Sequence, residues 1–268
     1  MKHWQPAGTV YGCLLNFQRE WDLWAPRMAL DPHKGPPQAP VLYVKSANTF
    51  NPSPTLVLED GVKEVDTGAT LGLVMGAQGM PDRVVLLNDW SVPHDSYYRP
   101  PVKFRCRDGY LGCGSPPVPW ASLDLASLSI MVQLNGQKIQ TVHLSELVRP
   151  VERLLADVGE FMTLQAGDVL MLGTDVLANG QRPRARAGDT VCLSAPGFAP
   201  WVQTVQGEAA RNTLASPGLG PSSKPSSRMA SCSSPKAHTK AIEWALTTWS
   251  GCRRSCPCRS RAPSSLWA

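Results

Sequence analysis

The sequence predicts an α+β fold, a β-rich mixed β-roll followed by a disordered basic tail. Many short apolar runs are bounded by glycine, proline or asparagine, which is typical of strands, and only one or two segments have a helical period. Asn135-Gly136 between two such runs is a strong hairpin signal. A doubly wound sheet needs a helix after almost every strand, so we predict a mixed sheet instead.

The individual elements follow from the spacing of apolar residues. Trp21, Trp24 and Met28 have helical spacing and predict a helix over residues 19–30. A second helix is predicted from Ser145, although Pro150 in its first turns indicates a later start. Residues 51–64 are polar and rich in turn formers, so no strand is predicted there. The predicted strands are residues 10–15, 41–44, 70–75, 84–87, 128–134, 137–142, 169–172 and 190–194.

Composition divides the chain into a domain, residues 1–206, and a tail, residues 207–268. The tail is rich in Ser, Pro, Lys and Arg, and such a segment cannot bury enough apolar surface to offset its ordering entropy. It holds nine of the 26 basic residues and two of the 21 acidic ones, which leaves residues 1–206 with a net charge of −2. Charge therefore predicts no nucleic-acid partner for the domain.

The N-terminus and the cysteines predict a cytoplasmic protein. No apolar run approaches the roughly 20 residues of a membrane span, and MKHWQPAGTV lacks the apolar segment of a secretory signal. The eight cysteines are scattered, four of them in the domain and four in the tail. We expect reduced cysteines and no membrane partner.

The candidate functional site lies in residues 65–109. The apolar run 84–87 ends at Asn88-Asp89, which places a carboxylate at the end of a rigid strand. Cations near aromatic side chains are typical of an anion-binding pocket. His94 is predicted to be a surface-loop residue. The stretch after Asp89 supplies Ser91, the pair His94-Asp95, Tyr97, Tyr98, Arg99, Lys103, Arg105 and Arg107.

Three segments of this stretch, GATLGLVMG, NDWSVPHDSYYRP and KFRCRDG, resemble the fumarylacetoacetate hydrolase superfamily. GTVYGCLLNF, PPQAPVLYVKSANTF and LQAGDVLMLGT extend the resemblance over roughly residues 8–206, in the family's order. More narrowly, the chain resembles the first subunit, or N-terminal half, of the decarboxylase/isomerases of 4-hydroxyphenylacetate (homoprotocatechuate) catabolism. The resemblance implies a β-rich α+β domain of the fumarylacetoacetate hydrolase C-terminal type.

The resemblance also implies a divalent metal, Mg²⁺ or Mn²⁺, held by Glu-x-Glu on one strand and an Asp at the end of its neighbour. Asp89 matches that Asp and is the predicted metal ligand. Gly68 and Thr70 stand at the Glu-x-Glu positions and supply no carboxylate. Asp66, two residues before Gly68, would need a register shift to serve. We therefore predict against metal binding of the family type, and the gap is either a subfamily trait or damage.

The resemblance also predicts further site residues. Lys45 matches the lysine of the family's KP(x)N segment, Arg105 matches its pocket lysine, and both are predicted to be catalytic. Thr174 matches the Gly-Thr that contacts the substrate carboxylate. The family's lid His and Glu align with Glu20 and Leu23, so the usual acid/base pair is absent. The predicted substrate-binding residues are Tyr98, Arg99, Lys103 and Thr174.

Two functions are consistent with the resemblance. The first is a decarboxylase/isomerase that acts on 5-oxopent-3-ene-1,2,5-tricarboxylate and 2-hydroxyhepta-2,4-diene-1,7-dioate, favoured by the intact NDWSVPHDSYYRP and CRDG segments. The alternative is a catalytically silent subunit that pairs with a metal-bearing homologue, favoured by the missing Glu-x-Glu. The expected partners are a small di- or tricarboxylate and either a second copy of this chain or that homologous subunit.

The chain departs from the family at two further places. The segment between Gly76 and Val84 is shorter than the family's helix-forming segment, and the similar sequence stops near Glu208. Both departures indicate a damaged or misread gene, in which the tail is a frame-shifted translation. The tail is otherwise a disordered appendage, a basic arm for RNA or membranes, or a zinc site at Cys252, Cys256 and Cys258.

Overall fold

The apolar runs of the sequence form strands, and few helices accompany them. This computed structural model describes residues 3–31, 33, 35–94 and 102–208. The strands are β1 (Val10–Leu14), β2 (Val41–Lys45), β3 (Phe50–Asn51), β4 (Thr55–Leu58), β5 (Glu64–Asp66), β6 (Ala69–Met75), β7 (Pro81–Asp89), β8 (Leu111–Gly112), β9 (Val118–Pro119), β10 (Ser129–Leu134), β11 (Gln137–His143), β12 (Val169–Met171), β13 (Arg184–Arg186), β14 (Thr190–Ser194) and β15 (Trp201–Gly207). The helices are α1 (Gln18–Met28), α2 (Val102–Arg105) and α3 (Val151–Gly159).

The strands of the described residues form three sheets. The largest has the order β2-β1-β12-β6-β7-β8-β3, with β9 also paired to β7. A five-stranded sheet has the order β11-β10-β14-β15-β4, and β13 pairs with β5. In the large sheet β1 runs parallel to β12, whereas β6 is antiparallel to both of its neighbours. These mixed sheets confirm the predicted α+β fold.

Strand β7 is buried on both faces because the large sheet is covered on each side. Leu86 joins a core cluster that includes Val132 and Leu193 of the five-stranded sheet. Val85 points the opposite way and joins a second cluster with Met28 of α1. Residues in such close-packed interiors have little freedom to shift. The end of β7, where Asp89 lies, is therefore held in a fixed position.

The predicted hairpin is confirmed. Strands β10 and β11 pair from Ser129–His143 to Leu134–Gln137, and the turn residues Asn135 and Gly136 have φ values of 51° and 79°. Two successive positive φ angles are the conformation that an Asn-Gly turn supplies at low steric cost.

The helix starts and ends differ from the prediction. Helix α1 ends at Met28 and includes Pro26. The second helix does not start at Ser145 but at the later position that Pro150 indicated, because α3 begins at Val151 and Pro150 is its N-cap. Proline restricts the residue before it to extended conformations, so the helix cannot run through this position.

Two further segments have a secondary structure that the sequence did not predict. Residues 51–64 contain β4, which pairs in parallel with β15 and buries Leu56 completely. The short connection after Gly76 forms a 3₁₀ turn in which Gln78 has a φ of 65°. This turn connects β6 and β7 as an antiparallel pair, so the shortened segment is accommodated without an α-helix.

Several sequence predictions concern residues outside the described part. The tail beyond residue 208 lies there with its four cysteines, and the domain boundary at residue 206 stays a prediction. Among the described cysteines, Cys13, Cys106, Cys113 and Cys192 are free thiols. The helices that the structure describes are too short and too polar to traverse a bilayer.

Candidate functional site

Asp89 lies at the end of β7 and is 1% exposed. Its backbone N–H donates to the carbonyl of Gly68 at 2.8 Å, and the residue pairs with Leu111 of β8. The next residue, Trp90, is fully buried and donates from Nε1 to Gln203 Oε1 at 2.9 Å. The Asp89 carboxylate therefore projects from a backbone that is fixed on both sides.

Three buried side chains surround this carboxylate. Lys45 Nζ lies 2.8 Å from Asp89 Oδ1, and Arg105 Nη1 and the Tyr43 hydroxyl both donate to Oδ2. Arg105 Nη1 also donates to Tyr43 Oη at 3.2 Å, and its guanidinium lies 5.0 Å from the centre of the Tyr43 ring. We call Tyr43, Lys45, Asp89 and Arg105 the buried charge cluster.

Electrostatics indicate that Asp89 is ionised within this cluster. Burial by itself would raise the pKa of Asp89, but Lys45 and Arg105 outweigh burial and hold the pKa below its usual value. Burial lowers the pKa of Lys45, and Asp89 opposes that shift. Burial and the Asp89 charge raise the pKa of Tyr43, which keeps the phenol protonated as a donor. The carboxylate is therefore neutralised by side chains of this chain.

The residues around Asp89 do not fit a divalent metal. Both carboxylate oxygens already contact cationic groups, whereas such an ion needs several oxygen ligands that carry negative charge. A Cβ at Gly68 would stand 2.4 Å from the Asp89 carbonyl oxygen and 2.9 Å from Thr174 Cγ2. Thr70 is 1% exposed and donates its hydroxyl to the carbonyl of Leu71 at 3.3 Å.

Asp66 is separated from the Glu-x-Glu positions by the end of a strand. It is the last residue of β5, which pairs with β13, whereas β6 begins at Ala69. Its Oδ1 accepts from Arg184 Nε at 3.2 Å. The described residues contain no group of three or more acidic, His or Cys side chains that could hold a metal ion.

A pocket of about 340 Å³ lies between α1, β5 and the segment before β13. Its wall carries Arg27, Arg182 and Arg184 together with one acidic residue, Asp66. Cations in this number favour an anionic ligand, because guanidinium groups bind carboxylates in a bidentate manner. The other lining residues are Leu23, Trp24, His94, Val176, Asn179, Gly180 and Gln181.

The arginines of the pocket differ in their existing contacts. Arg182 forms a buried ion pair with Glu20 of α1. Arg184 lies 2.6 Å from Glu64 Oε1, and its side chain is 40% exposed. Arg27 is exposed and lies over the ring of Trp24, 5.1 Å from the ring centre. Burial raises the pKa of Asp66, although the neighbouring arginines oppose the shift.

His94 faces the same pocket and is half-buried, not the surface-loop residue that the sequence predicted. Its Nδ1 lies 3.0 Å from the carbonyl oxygen of Val92 and 3.3 Å from Ser91 Oγ. Its ring stacks on Phe104 with 4.8 Å between the centroids. Burial lowers the pKa of His94, and the Arg105 and Arg182 charges add to that effect.

Acidification is expected to destabilise the folded chain through His94. Because the folded pKa lies below the unfolded value, the stabilising contribution is present above about pH 6.5 and is lost as the pH falls through the folded pKa. The His94→Asn variant should lose this part of the pH dependence, measured as the unfolding midpoint between pH 7 and 5. The control is His143→Asn, at an exposed position. Identical pH profiles for wild type and His94→Asn would contradict the prediction.

The structure brings together part of the predicted site. Lys45, Asp89 and Arg105 are in contact, but their predicted catalytic and metal-binding roles stay predictions. Thr174 is 4% exposed and lies beside Gly68. Lys103 is exposed on α2 and does not line this pocket. The other two predicted substrate-binding residues, Tyr98 and Arg99, lie outside the described residues.

Sequence reasoning missed several members of the site. Tyr43 stands two positions before Lys45 on β2, and strand alternation alone places both side chains on one face. Arg182 and Arg184 follow a turn-rich segment without an apolar run, so local sequence gave no signal for them. Their position depends on the pairing of β13 with β5.

Known proteins with similar sequences indicate the family of this chain. The profile of the fumarylacetoacetate (FAA) hydrolase C-terminal family matches residues 9–206. The 4-hydroxyphenylacetate degradation bifunctional isomerase/decarboxylase of Salmonella dublin is 31% identical over 201 residues, 71% of this chain and 45% of that protein. The homoprotocatechuate catabolism bifunctional isomerase/decarboxylase of Escherichia coli is 31% identical over 207 residues, 72% and 46% respectively. The chain thus spans about half the length of these relatives.

Solved structures show the same fold. The 5-carboxymethyl-2-hydroxymuconate delta-isomerase of Mycobacterium smegmatis superimposes with a TM-score of 0.58 at 21% identity, covering 76% of this chain and 80% of that one. The 2-hydroxyhepta-2,4-diene-1,7-dioate isomerase of Mycobacterium marinum gives a TM-score of 0.59 at 19% identity, covering 77% of each chain. With the profile match over residues 9–206, the predicted resemblance is confirmed: the chain belongs to the fumarylacetoacetate hydrolase family.

Proposed function

We propose that this chain acts in 4-hydroxyphenylacetate (homoprotocatechuate) catabolism, as a decarboxylase/isomerase for 5-oxopent-3-ene-1,2,5-tricarboxylate and 2-hydroxyhepta-2,4-diene-1,7-dioate. The arginine-lined pocket carries the proposal, because both compounds have carboxylates at separated ends. The names of the bifunctional relatives support the same pathway. We expect a cytoplasmic protein that binds no nucleic acid.

The proposed ligand contacts follow from exposure and charge. Arg27 of α1 and the partly exposed Arg184 of β13 both line the pocket, and Arg184 also pairs with Glu64 and Asp66. We propose that each guanidinium group binds one carboxylate of the ligand. Arg182 lies deeper and is neutralised in part by Glu20. A ligand with two separated negative charges therefore matches the pocket better than a monoanion.

Tautomerisation also needs one group that accepts a proton and one that donates it. Burial lowers the pKa of His94, which favours its neutral, proton-accepting form. Burial raises the pKa of Asp66, which favours its protonated form, although the neighbouring arginines oppose that shift. Both side chains line the pocket. We propose that this pair moves the proton between the carbon and oxygen ends of the dienol unit.

A second candidate is a catalytically silent subunit that pairs with a metal-bearing homologue. The buried charge cluster favours it, because Lys45 and Arg105 engage both oxygens of Asp89 and leave no carboxylate for a metal. In this case the pocket binds substrate or shapes an interface, and the metal-dependent step takes place on the partner. A pair of identical chains is the alternative assembly.

One set of assays separates the two candidates. The full chain is incubated with the tricarboxylate, with and without Mg²⁺ or Mn²⁺, and CO₂ release and dienol absorbance are followed. The assay is repeated after adding the part of the Escherichia coli relative that this chain does not cover. Turnover by the chain alone supports the enzyme, whereas turnover that needs the added part supports the silent subunit. Absence of turnover both by the chain alone and with the added part contradicts both.

The Arg27→Gln variant is expected to weaken binding of the dienedioate by about tenfold or more, because a charge-assisted hydrogen bond contributes about 1.5–3 kcal/mol. Isothermal titration of the full chain measures the change. Arg83→Gln is the matched control, since Arg83 is a half-exposed arginine on β7 that does not line this pocket. Equal losses in both variants would show that the net charge matters and the pocket does not.

A further inference from the structure

The ammonium group of Lys45 is enclosed by oxygen atoms. Nζ lies 2.8 Å from Asp89 Oδ1, 2.7 Å from the carbonyl oxygen of Tyr110 and 3.4 Å from that of Trp90, and it also donates to the carbonyl of Arg105. The side chain has no exposed surface. We call these four oxygens the oxygen cage.

We propose that the oxygen cage is a monovalent cation site that Lys45 fills with its own ammonium group. Shells of backbone carbonyls can replace the hydration of a bound ion, and the carboxylate adds one negative charge. The ammonium group of Lys45 is thus a covalently attached cation that lies next to Asp89. Asp89 is the residue that matches the metal-binding Asp of the family.

Charge explains why the site suits one positive charge and not two. Oδ2 of Asp89 is already paired with Arg105, and the other three cage oxygens are neutral carbonyls. The ammonium group and Arg105 already place two positive charges beside one carboxylate, so a divalent ion in place of the ammonium would add a further uncompensated positive charge, which is strongly unfavourable. An ion of ammonium size and charge leaves the net charge of the cluster unchanged.

The position of the cage indicates that the ammonium group holds several backbone segments together. The cage oxygens come from the end of β7, the end of α2 and the residue before β8, and Lys45 reaches them from the end of β2. The ammonium group joins these segments through one atom. The proposal thus makes Lys45 a positioning residue for Asp89 and the neighbouring backbone.

Chemical rescue of Lys45→Ala tests the proposal in the full chain. The substitution is expected to lower the unfolding midpoint by roughly 10 °C. Ammonium or methylammonium chloride should restore at least half of the loss, whereas tetramethylammonium chloride at equal ionic strength should not, because that ion cannot enter the cage. Equal recovery in all three salts, or recovery in none, overturns the proposal.

Two further variants exclude simpler explanations. Lys45→Arg keeps the charge but not the size, so it should also lower the midpoint and should not respond to ammonium. Lys138→Ala, at an exposed position, reports the general effect of each salt. If Lys45→Ala does not fold in sodium buffer, the refolding yield in ammonium against tetramethylammonium chloride is the readout, and a yield that is equal in both salts overturns the proposal.

Discussion

Replacement of Asp89 by asparagine is expected to lower the free energy of unfolding by about 3–5 kcal/mol. The substitution barely changes the shape of the side chain, but it removes the one negative charge in the buried charge cluster. Lys45 and Arg105 would then be buried beside each other without a counter-charge. Breaking a buried ion pair by removing one partner is costly for this reason, even where the intact pair adds little net stability.

Denaturant unfolding of the full chain measures the effect, and Asp82→Asn is the matched control. Asp82 lies on the same strand, its side chain is 53% exposed, and it pairs with Arg83 at 3.5 Å. A solvent-exposed pair of this kind contributes about 0–1 kcal/mol, so the control should change little. A loss below about 1 kcal/mol for Asp89→Asn would mean that water enters the cluster and screens its charges.

The same measurement separates a structural Asp89 from a metal ligand. If Asp89 bound Mg²⁺ or Mn²⁺ in the folded chain, the ion would stabilise the wild type, and chelation would remove that gain. The cluster predicts the opposite result, since both oxygens are engaged by Lys45, Arg105 and Tyr43. The unfolding midpoint of the wild type should therefore not respond to millimolar Mn²⁺ or to chelator.

The sequence alone predicted the position of Asp89 correctly, and the reason is local. An apolar run that stops at a carboxylate marks a strand end, and β7 does end at Asp89. The Asn-Gly turn was equally predictable, because the positive φ angles of a two-residue hairpin restrict the residue choice. Both features depend on a few neighbouring residues.

The partners of Asp89 were not predictable in the same way. Lys45 and Arg105 were assigned catalytic roles from family positions, and nothing local showed that they meet Asp89. Their contacts with Asp89 arise only when β2 and α2 come together around the end of β7, and the Arg105 carbonyl that Lys45 also contacts is 60 residues away in sequence. Asp66 shows the same limit, because a strand break between it and Ala69 cannot be read from spacing.

Gly68 stands where the family has a glutamate, and the Gly68→Ala variant is expected to destabilise the fold strongly. A Cβ here would stand 2.4 Å from the carbonyl oxygen of Asp89, which is backbone and cannot rotate away. The two residues are also joined by a 2.8 Å hydrogen bond, and Gly68 N–H donates to Asn88 Oδ1 at 3.0 Å. Overpacking at such a site costs about 1–3 kcal/mol and in rigid surroundings more, so we expect at least 3 kcal/mol.

The control for this variant is Gly159→Ala. A Cβ at Gly159 meets nothing within 4 Å, and the residue ends α3, so alanine there should be neutral or stabilise by up to about 1 kcal/mol. Urea unfolding of both variants gives the comparison. Tolerance of alanine at position 68 would mean that β6 and β7 can separate locally.

Gly68→Glu extends the argument to the metal. The glutamate would meet the same backbone contact and would add a second buried carboxylate beside cations that already serve Asp89. We expect little folded protein and no Mn²⁺ binding by titration. This outcome would favour a subfamily trait over damage, because the close approach of β6 to β7 and the charge balance at Asp89 both depend on the absent glutamate. A folded Gly68→Glu protein that binds Mn²⁺ would instead favour damage, because it would mean that only the metal-binding glutamate was lost at this position.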